Sequence, residues 1–480
     1  MSEFTEHKHP HSIPLEFFSA NLSKKNLALL VFVALAVGSL SATYPILAVV
    51  VVPLLIALPL TFFFPFEIFL IFAFLLLTLG DYFGSKPIPM GGFKFYGADY
   101  FLVILIIAII KGYKTDSVKR KSPLTLLLWV YIAYGVISLL IGLFYQNHEL
   151  NRTIGDFRRF FYYPLAFFLG WNIISNKKNI LKLEKIIVLA PFVIMAFAAL
   201  RLATGQTWAP EIHARPEDFR AMPYFDGIAL IFVFSYLIAL FFARKKWKLY
   251  QMIIAFLIPI FILLSGFRLL WALFFLSVMI VLWFSFKQKE KKKYIRILVY
   301  LFLIILVSIV LLRTTGGKYY EMFETKIVNR ILRYEHSSER WRYPAWKSAL
   351  DKFSSSPLLG TGLGDEPTFW AVNSAGQWMK ITRTLHNAFL EILYQTGIIG
   401  ALLILWILAK YSITIYKNIP SVDRDAKPIL IALFVLFVCG LIQSLFQPYL
   451  NHPGNGVLFY ALMGISLKTV HLTKAEKLES

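Results

Sequence analysis

Residues 384–403 read TLHNAFLEILYQTGIIGALL. The stretch opens polar, passes through a His-Asn pair at 386–387 and becomes an apolar helical run. It closes a polar interruption that begins near Arg313 and contains SSERWRYPAWKSAL (337–350) and SSSPLLGTGLG (354–364). On both sides of the interruption the chain reads as membrane. Apolar runs of 18 or more residues recur, and about 20 residues suffice to span a bilayer as a helix. The 480 residues are 58% hydrophobic, above the roughly 45–50% of soluble domains, and mean hydropathy is +0.65. These patterns predict an all-α polytopic transmembrane helix bundle with a large outer loop bearing amphipathic helices.

The apolar runs give about fourteen candidate spans, with twelve as the alternative count: 26–42, 44–63, 65–82, 95–110, 123–145, 157–174, 186–204, 227–243, 249–265, 267–286, 295–312, 394–416, 428–446 and 454–468. The formal charge of +22 orients them. Lysines and arginines cluster at 24–25, 111–121, 177–185, 244–248, 287–296, 410–427 and 468–477. All these clusters fall on one side if both termini are cytoplasmic, as the excess of basic residues in cytoplasmic loops requires. The chain then divides into a cytoplasmic tail (1–25), a transmembrane bundle (26–312), a large periplasmic loop (313–385), C-terminal transmembrane helices (386–468) and a cytoplasmic tail (469–480). Basic links between spans fit topology and anionic lipid better than nucleic acid. Within the loop, Tyr319, Phe323, Ile327 and Ile331 form a stripe amid basic residues, an amphipathic helix. A second helix is expected at 339–353, with GTGLG following as a turn.

Several functional classes are excluded or weakened. One cysteine, Cys439, allows neither an internal disulfide framework nor a thiolate metal site. No cleavage-site pattern precedes the first span, so no removable signal peptide is expected. His7, His9 and His11 sit in a polar tail. GTGLGD lacks the Lys-Ser/Thr of a phosphate loop, Asp423-Arg424-Asp425 sits in a basic linker, and no H-E-x-x-H spacing appears. Neither a cofactor nor a metal is expected.

Cations on the outer side are informative because topology alone disfavours them there. Arg158 and Arg159 open the sixth span, Arg215 and Arg220 lie in the loop 205–226, and Arg268 starts the tenth span within SGFRLLW. Arg340, Arg342 and Arg383 lie in the large loop. Guanidinium forks bind phosphate oxygens in pairs, so several at one rim suit a lipid diphosphate. For each alone, a loop or snorkelling arginine is the plainer reading. His386 is a suitable base near neutral pH, although His148, His213, His336 and His452 are also outer histidines.

The ordered run from Arg342 to Gly400 resembles the O-antigen ligase/polymerase superfamily, bacterial membrane glycosyltransferases of the GT-C type. The matching pieces are Arg342 four before Trp346, Pro357–Gly362 (PLLGTG), His386-Asn387 with Leu390-Glu391, and Gly397–Gly400 (GIIG). Ser265-Gly266-Phe267-Arg268 is similar to the family's Ser-Gly-x-Arg segment. The resemblance implies a metal-independent transfer of a glycan from undecaprenyl diphosphate to an acceptor hydroxyl, at the outer face of the bacterial inner membrane. His386 matches the family's histidine and Arg268 its span arginine. Arg220 is the counterpart of a second arginine, with Arg215 as rival. Arg215, Arg158, Arg159, Arg342 and Asn387 are then candidates for binding the lipid diphosphate or the glycan. Glu391, five positions after His386, reads as structural. Partners would be the lipid-linked glycan, an acceptor glycolipid or glycan, and membrane lipids. The competing readings are a polymerase joining lipid-linked repeats, a glycolipid flippase and, more distantly, a peptidoglycan polymerase.

Overall fold

A computed structural model describes residues 58–80, 83, 87–90, 93–113, 122–205, 221–243, 248–286, 295, 299, 310, 337–372, 378–382 and 385–479. The expected span at 26–42, most of those at 44–63 and 295–312, and the amphipathic helix around Tyr319–Ile331 lie outside these residues. The chain divides into two units, Met1–Ile68 and Phe69–Ser480. In the first, residues 58–63 are helical and Ile68 N–H donates to Phe64 O at 3.0 Å. All that follows concerns the second, apart from the first turn of the helix Pro65–Leu79.

The protein is an all-α polytopic membrane protein. Among the described residues, seven helices are long and apolar enough to cross a bilayer. The helices are α1 (Pro65–Leu79), α2 (Phe101–Tyr113), α3 (Thr125–Leu140), α4 (Leu150–Phe157), α5 (Ala166–Ile173), α6 (Lys177–Thr204), α7 (Tyr224–Ala243), α8 (Leu249–Leu264), α9 (Arg268–Phe286), α10 (Ser337–Ser355), α11 (Ala388–Asn418), α12 (Lys427–Ser444) and α13 (Pro453–Glu479). The expected spans between 123 and 286, apart from 157–174, and those after 394 fall on these helices. The expected loop helix at 339–353 lies within α10.

The core surrounds α7, 94% of whose most apolar stretch is buried, with α12 and α13 beside it. Helices α3 and α6 are only 28% and 33% buried by the same measure and leave apolar side chains such as Leu126, Trp129 and Leu200 exposed. Those faces suit lipid. Packing without a hydrophobic drive favours small residues at helix crossings, and α5 meets α13 in this way. A Cβ on Gly170 would lie 1.8 Å from Ala461 O, and one on Gly464 2.1 Å from Phe167 O. Cys439, buried in α12, points its Sγ at Leu273 O of α9 at 3.8 Å. At one end of the bundle Lys177 pairs with Asp423 at 2.5 Å and Arg424 Nε donates to Ala243 O.

The other end is organised by a break. Gly397 (φ 65°, ψ −172°) interrupts α11 and strands the carbonyls before it. The segment Pro357–Leu363 fills the gap. Thr361 N–H donates to Tyr394 O at 2.9 Å, Gly362 N–H to Gln395 O at 3.0 Å, and Tyr134 Oη to Thr396 O at 2.6 Å. Beyond the break, Ile398 N–H donates to Pro357 O at 2.9 Å. Leu363 N–H then reaches Ser138 O of α3 at 3.3 Å. The approach is backbone to backbone. A Cβ at Gly397 would sit 2.2 Å from Leu358 O, and one at Gly142 2.2 Å from Leu363 O.

Two antiparallel hairpins depart from the all-helical expectation. β1 (Pro87–Met90) pairs with β2 (Phe93–Tyr96), and β3 (Thr368–Val372) with β4 (Trp378–Thr382). Gly91-Gly92 between the first two strands is a two-residue hairpin signal that hydropathy alone passes over. The region read as one span at 157–174 is three pieces: a π-helical turn (Arg158–Tyr162), a 3-10 turn around Pro164, and α5. The widened turn lets the chain continue past a proline that lacks an N–H.

Gly397→Ala forces an L-residue into a positive-φ, extended-ψ conformation open essentially to glycine, at about 1–3 kcal/mol, and adds the clash with Leu358 O. It should lower the melting temperature of the purified protein by several degrees. Gly155→Ala, with open space around its Cβ, should hold or raise it.

Candidate active site

The polar end encloses a cavity of about 620 Å³ between α4, the β1–β2 hairpin, the first turn of α11 and the α12–α13 link. Four cations line it, Lys94, Arg152, Arg158 and Arg159, together with four carboxylates, Glu149, Asp156, Glu366 and Glu391. Asn451 and His452 close the side nearest α13.

Asp156 ties three elements into one wall. Its Oδ2 accepts from Gly364 N–H at 3.2 Å and from Gln395 Nε2 at 3.1 Å, and its Oδ1 lies 3.3 Å from Arg159 Nη1. Burial pushes the Asp156 carboxyl above its ordinary range, against the opposing pull of Arg159 and of these hydrogen bonds. Arg158 donates from Nη1 to Lys94 O at 2.7 Å, lies 3.7 Å from Asp99 Oδ2, and has its guanidinium carbon 5.1 Å from the centre of the Tyr96 ring. Arg152 bridges Glu149 at 3.1 Å and Glu366 at 3.3 Å. Lys352, on α10, binds Asp365 and Glu366 O.

His386 is held at the edge of this assembly. Its φ of 53° is unusual for a residue with a side chain, and its neighbours keep it there. On one side, Leu385 N–H donates to Glu391 Oε1 at 2.9 Å and Leu385 O accepts from Trp346 Nε1 at 3.1 Å. On the other, Asn387 caps α11, its side chain accepting from Leu390 N–H at 3.0 Å. Glu391 Oε2 accepts from Asn451 Nδ2 at 2.6 Å, so one buried carboxylate joins the segment before His386 to the start of α13. The imidazole Nδ1 lies 3.2 Å from Gln447 Oε1, one residue before Pro448 of the cavity wall. Helix α10 supports the arrangement from behind, where Ala345 and Ala349 pack with Phe369, Leu385 and Tyr394.

The candidates named from sequence separate into groups. Arg158 and Arg159 meet in the cavity. His386 and Asn387 adjoin it through Leu385, Glu391 and Gln447. Arg268 is exposed at the start of α9, after a turn in which Gly266 has φ 69° and Phe267 N–H reaches Ser265 Oγ at 3.3 Å. It does not line the cavity, yet a row of rings leads from its neighbour to it: Phe267 to Tyr224 (6.3 Å), Tyr224 to Phe225 (5.3 Å) and Phe225 to His452 (5.3 Å). Arg342 is half-buried on α10, away from the cavity lining. Arg215 and Arg220 lie outside the described residues. Lys94, Arg152, Asp156 and Glu366 were not singled out from sequence, because each is an ordinary loop or helix charge until the fold gathers them. Glu391 was read as structural by its spacing from His386. That spacing argument assumes one continuous helix, whereas the chain turns at His386 and α11 begins at Ala388. Among the described residues no group of three or more His, Cys, Asp or Glu is placed to hold a metal ion.

The fold defines a multi-span helical membrane protein with a polar cavity at one end of the bundle. Residues 252–405, from α8 into α11, match the family model described as O-antigen ligase (Wzy_C), which supports the O-antigen ligase/polymerase superfamily. The matched stretch contains Arg268, Arg342, His386 and Glu391, whereas the cavity arginines come from outside it. No curated protein matches the chain.

Glu391→Ala leaves Leu385 N–H and Asn451 without their carboxylate. A buried donor left unpaired costs roughly 1–3 kcal/mol, so the variant should cost about 2 kcal/mol or more, read as a lower thermal midpoint, while Glu391→Gln should recover much of it. An acid whose folded pKa is raised binds its proton more tightly in the folded state. The stability contributed by Asp156 is therefore greatest in acid and is lost as pH rises through the folded value. Melting curves of Asp156→Asn against the native protein from about pH 4 upward should show that loss only in the native protein.

Proposed function

We propose that the protein is a glycosyltransferase of the O-antigen ligase kind, moving a glycan from undecaprenyl diphosphate to an acceptor hydroxyl at the outer face of the bacterial inner membrane. The observation that carries this reading is the position of His386. It is held in a left-handed backbone conformation by Glu391, Trp346 and Asn387, within the segment that matches the family, at the border of an arginine-lined cavity. Strained backbone kept in place by surrounding contacts is a recurrent feature of reactive sites.

In the proposed reaction the acceptor oxygen attacks the anomeric carbon, the bond from that carbon to the diphosphate breaks, and the hydroxyl proton passes to the imidazole of His386. With Gln447 Oε1 accepting from Nδ1, the proton rests there and Nε2 is the basic nitrogen. Arg268 and Arg220, with Arg215 as the alternative to Arg220, hold the diphosphate and offset the charge that grows on it as the sugar leaves. Arg158, Arg159, Arg342 and Asn387 complete the substrate contacts or support them. The same reading places both termini in the cytoplasm and the cavity outside.

His386→Ala and Arg268→Ala should each reduce ligated or polymerised surface glycan at least a hundredfold in cells, at expression equal to the native protein, on a gel of surface polysaccharide. Native product from either variant overturns the proposal. The residual pattern separates the two acceptor classes: shortened chains indicate a polymerase, and unattached long chains a ligase.

A further inference from the structure

We infer that the cavity between α4, the first hairpin and the α13 link is the sugar subsite, shaped for an uncharged, hydroxyl-rich glycan, and that the diphosphate binds elsewhere. The inference rests on the transferase reading and gives the glycan and its leaving group separate places.

Charge balance carries it. A pocket built for a dianion gathers cations and keeps carboxylates away, because like charges nearby disfavour the charged ligand. Here the lining holds as many carboxylates as cations, and the arginines already face acids of the same fold. Arg152 spans Glu149 and Glu366, Arg159 faces Asp156, and Arg158 lies 3.7 Å from Asp99 while donating to Lys94 O. A diphosphate entering this space would have to displace those acids or lie against them.

A sugar uses the same arrangement well. Each hydroxyl donates one hydrogen bond and accepts others, so an arginine beside a carboxylate offers it both partners at once. The Arg152–Glu149 and Arg152–Glu366 pairs keep both members well exposed, with side-chain accessibilities of 52%, 58% and 40%. Asn151 adds an amide on the same rim. About 620 Å³ falls within the range of pockets that enclose small organic ligands, and it is more room than a diphosphate needs. By contrast Arg268, exposed and outside this lining, is placed to serve the phosphate end.

The test uses the purified full chain in lipid nanodiscs and two probes: inorganic pyrophosphate, and surface-polysaccharide fragments of the source cell freed from lipid and diphosphate by mild acid. Hydrogen exchange over residues 149–159 and titration calorimetry read the binding. The fragments should protect 149–159, and pyrophosphate should not. The double variant Glu149→Gln with Glu366→Gln removes two formal negative charges at exposed positions. It should weaken the fragments tenfold or more and strengthen pyrophosphate, with an unchanged melting temperature showing that it folds. Protection by pyrophosphate alone, protection by neither probe, or a folded double variant with both affinities unaltered overturns the inference. If the double variant does not fold, Asn151→Ala takes its place, and a fragment affinity unaltered by it has the same consequence. Fragments that bind here in a protein that transfers no glycan leave the subsite standing and remove the transferase reading. Transfer without protection at 149–159 does the reverse.

Discussion

The break at Gly397 is the constraint on which the rest of the polar end depends. A helix interrupted inside an apolar protein exposes carbonyl groups that must find donors, since burying them unpaired costs on the order of 1–3 kcal/mol each. The donors come from one short segment, Pro357–Leu363, and from Tyr134 of α3. Once that segment lies in the gap, its position is fixed. Gly364 then reaches Asp156, Asp156 reaches Gln395 and Arg159, and the wall of the cavity is set. The two glycine motifs, far apart in the chain, are two halves of one hydrogen-bonded joint.

That joint explains what was legible in the sequence. Apolar runs identify α3, α6, α7 and α9 because each belongs to a continuous helical stretch whose length answers to a bilayer. α10 was legible from its own apolar face. PLLGTG and GIIG were visible as motifs, but their partnership was not, because no local pattern says which backbone will satisfy which. Lys94, Arg152, Asp156 and Glu366 were unreadable for a related reason. Each takes its meaning from a neighbour up to hundreds of positions away, as Asp156 does from Gln395. His386 is a sequence candidate because imidazole is a base near neutral pH, and Asn387 because the His-Asn pair resembles the family's motif. The turn at His386 that brings Glu391 back to Leu385 was not legible, since spacing rules presume a regular helix.

The electrostatics divide in two ways. Arginines of α4 and the turn after it are engaged by carboxylates of the same end of the bundle, while Arg268 stands exposed at a helix start beyond a glycine turn. Residues of the same type therefore have different prospects with an anion. Counting arginines at a rim conceals this difference, and following each to its nearest acid reveals it. The lining of the cavity also joins regions inside and outside the family match, so the matched stretch alone does not build the cavity.

Cys439 has a practical bearing on all of this. It is the single thiol of the 480 residues and lies sealed between α12 and α9 against a carbonyl of the latter. The native chain is in effect blank to maleimide reagents that stay in water. A cysteine introduced at Asn151 or at Lys410 would be the only one to react, and a reagent added to intact cells would reveal which end of the bundle faces the medium. The protein is ready for spin labels and fluorophores without first being stripped of reactive side chains.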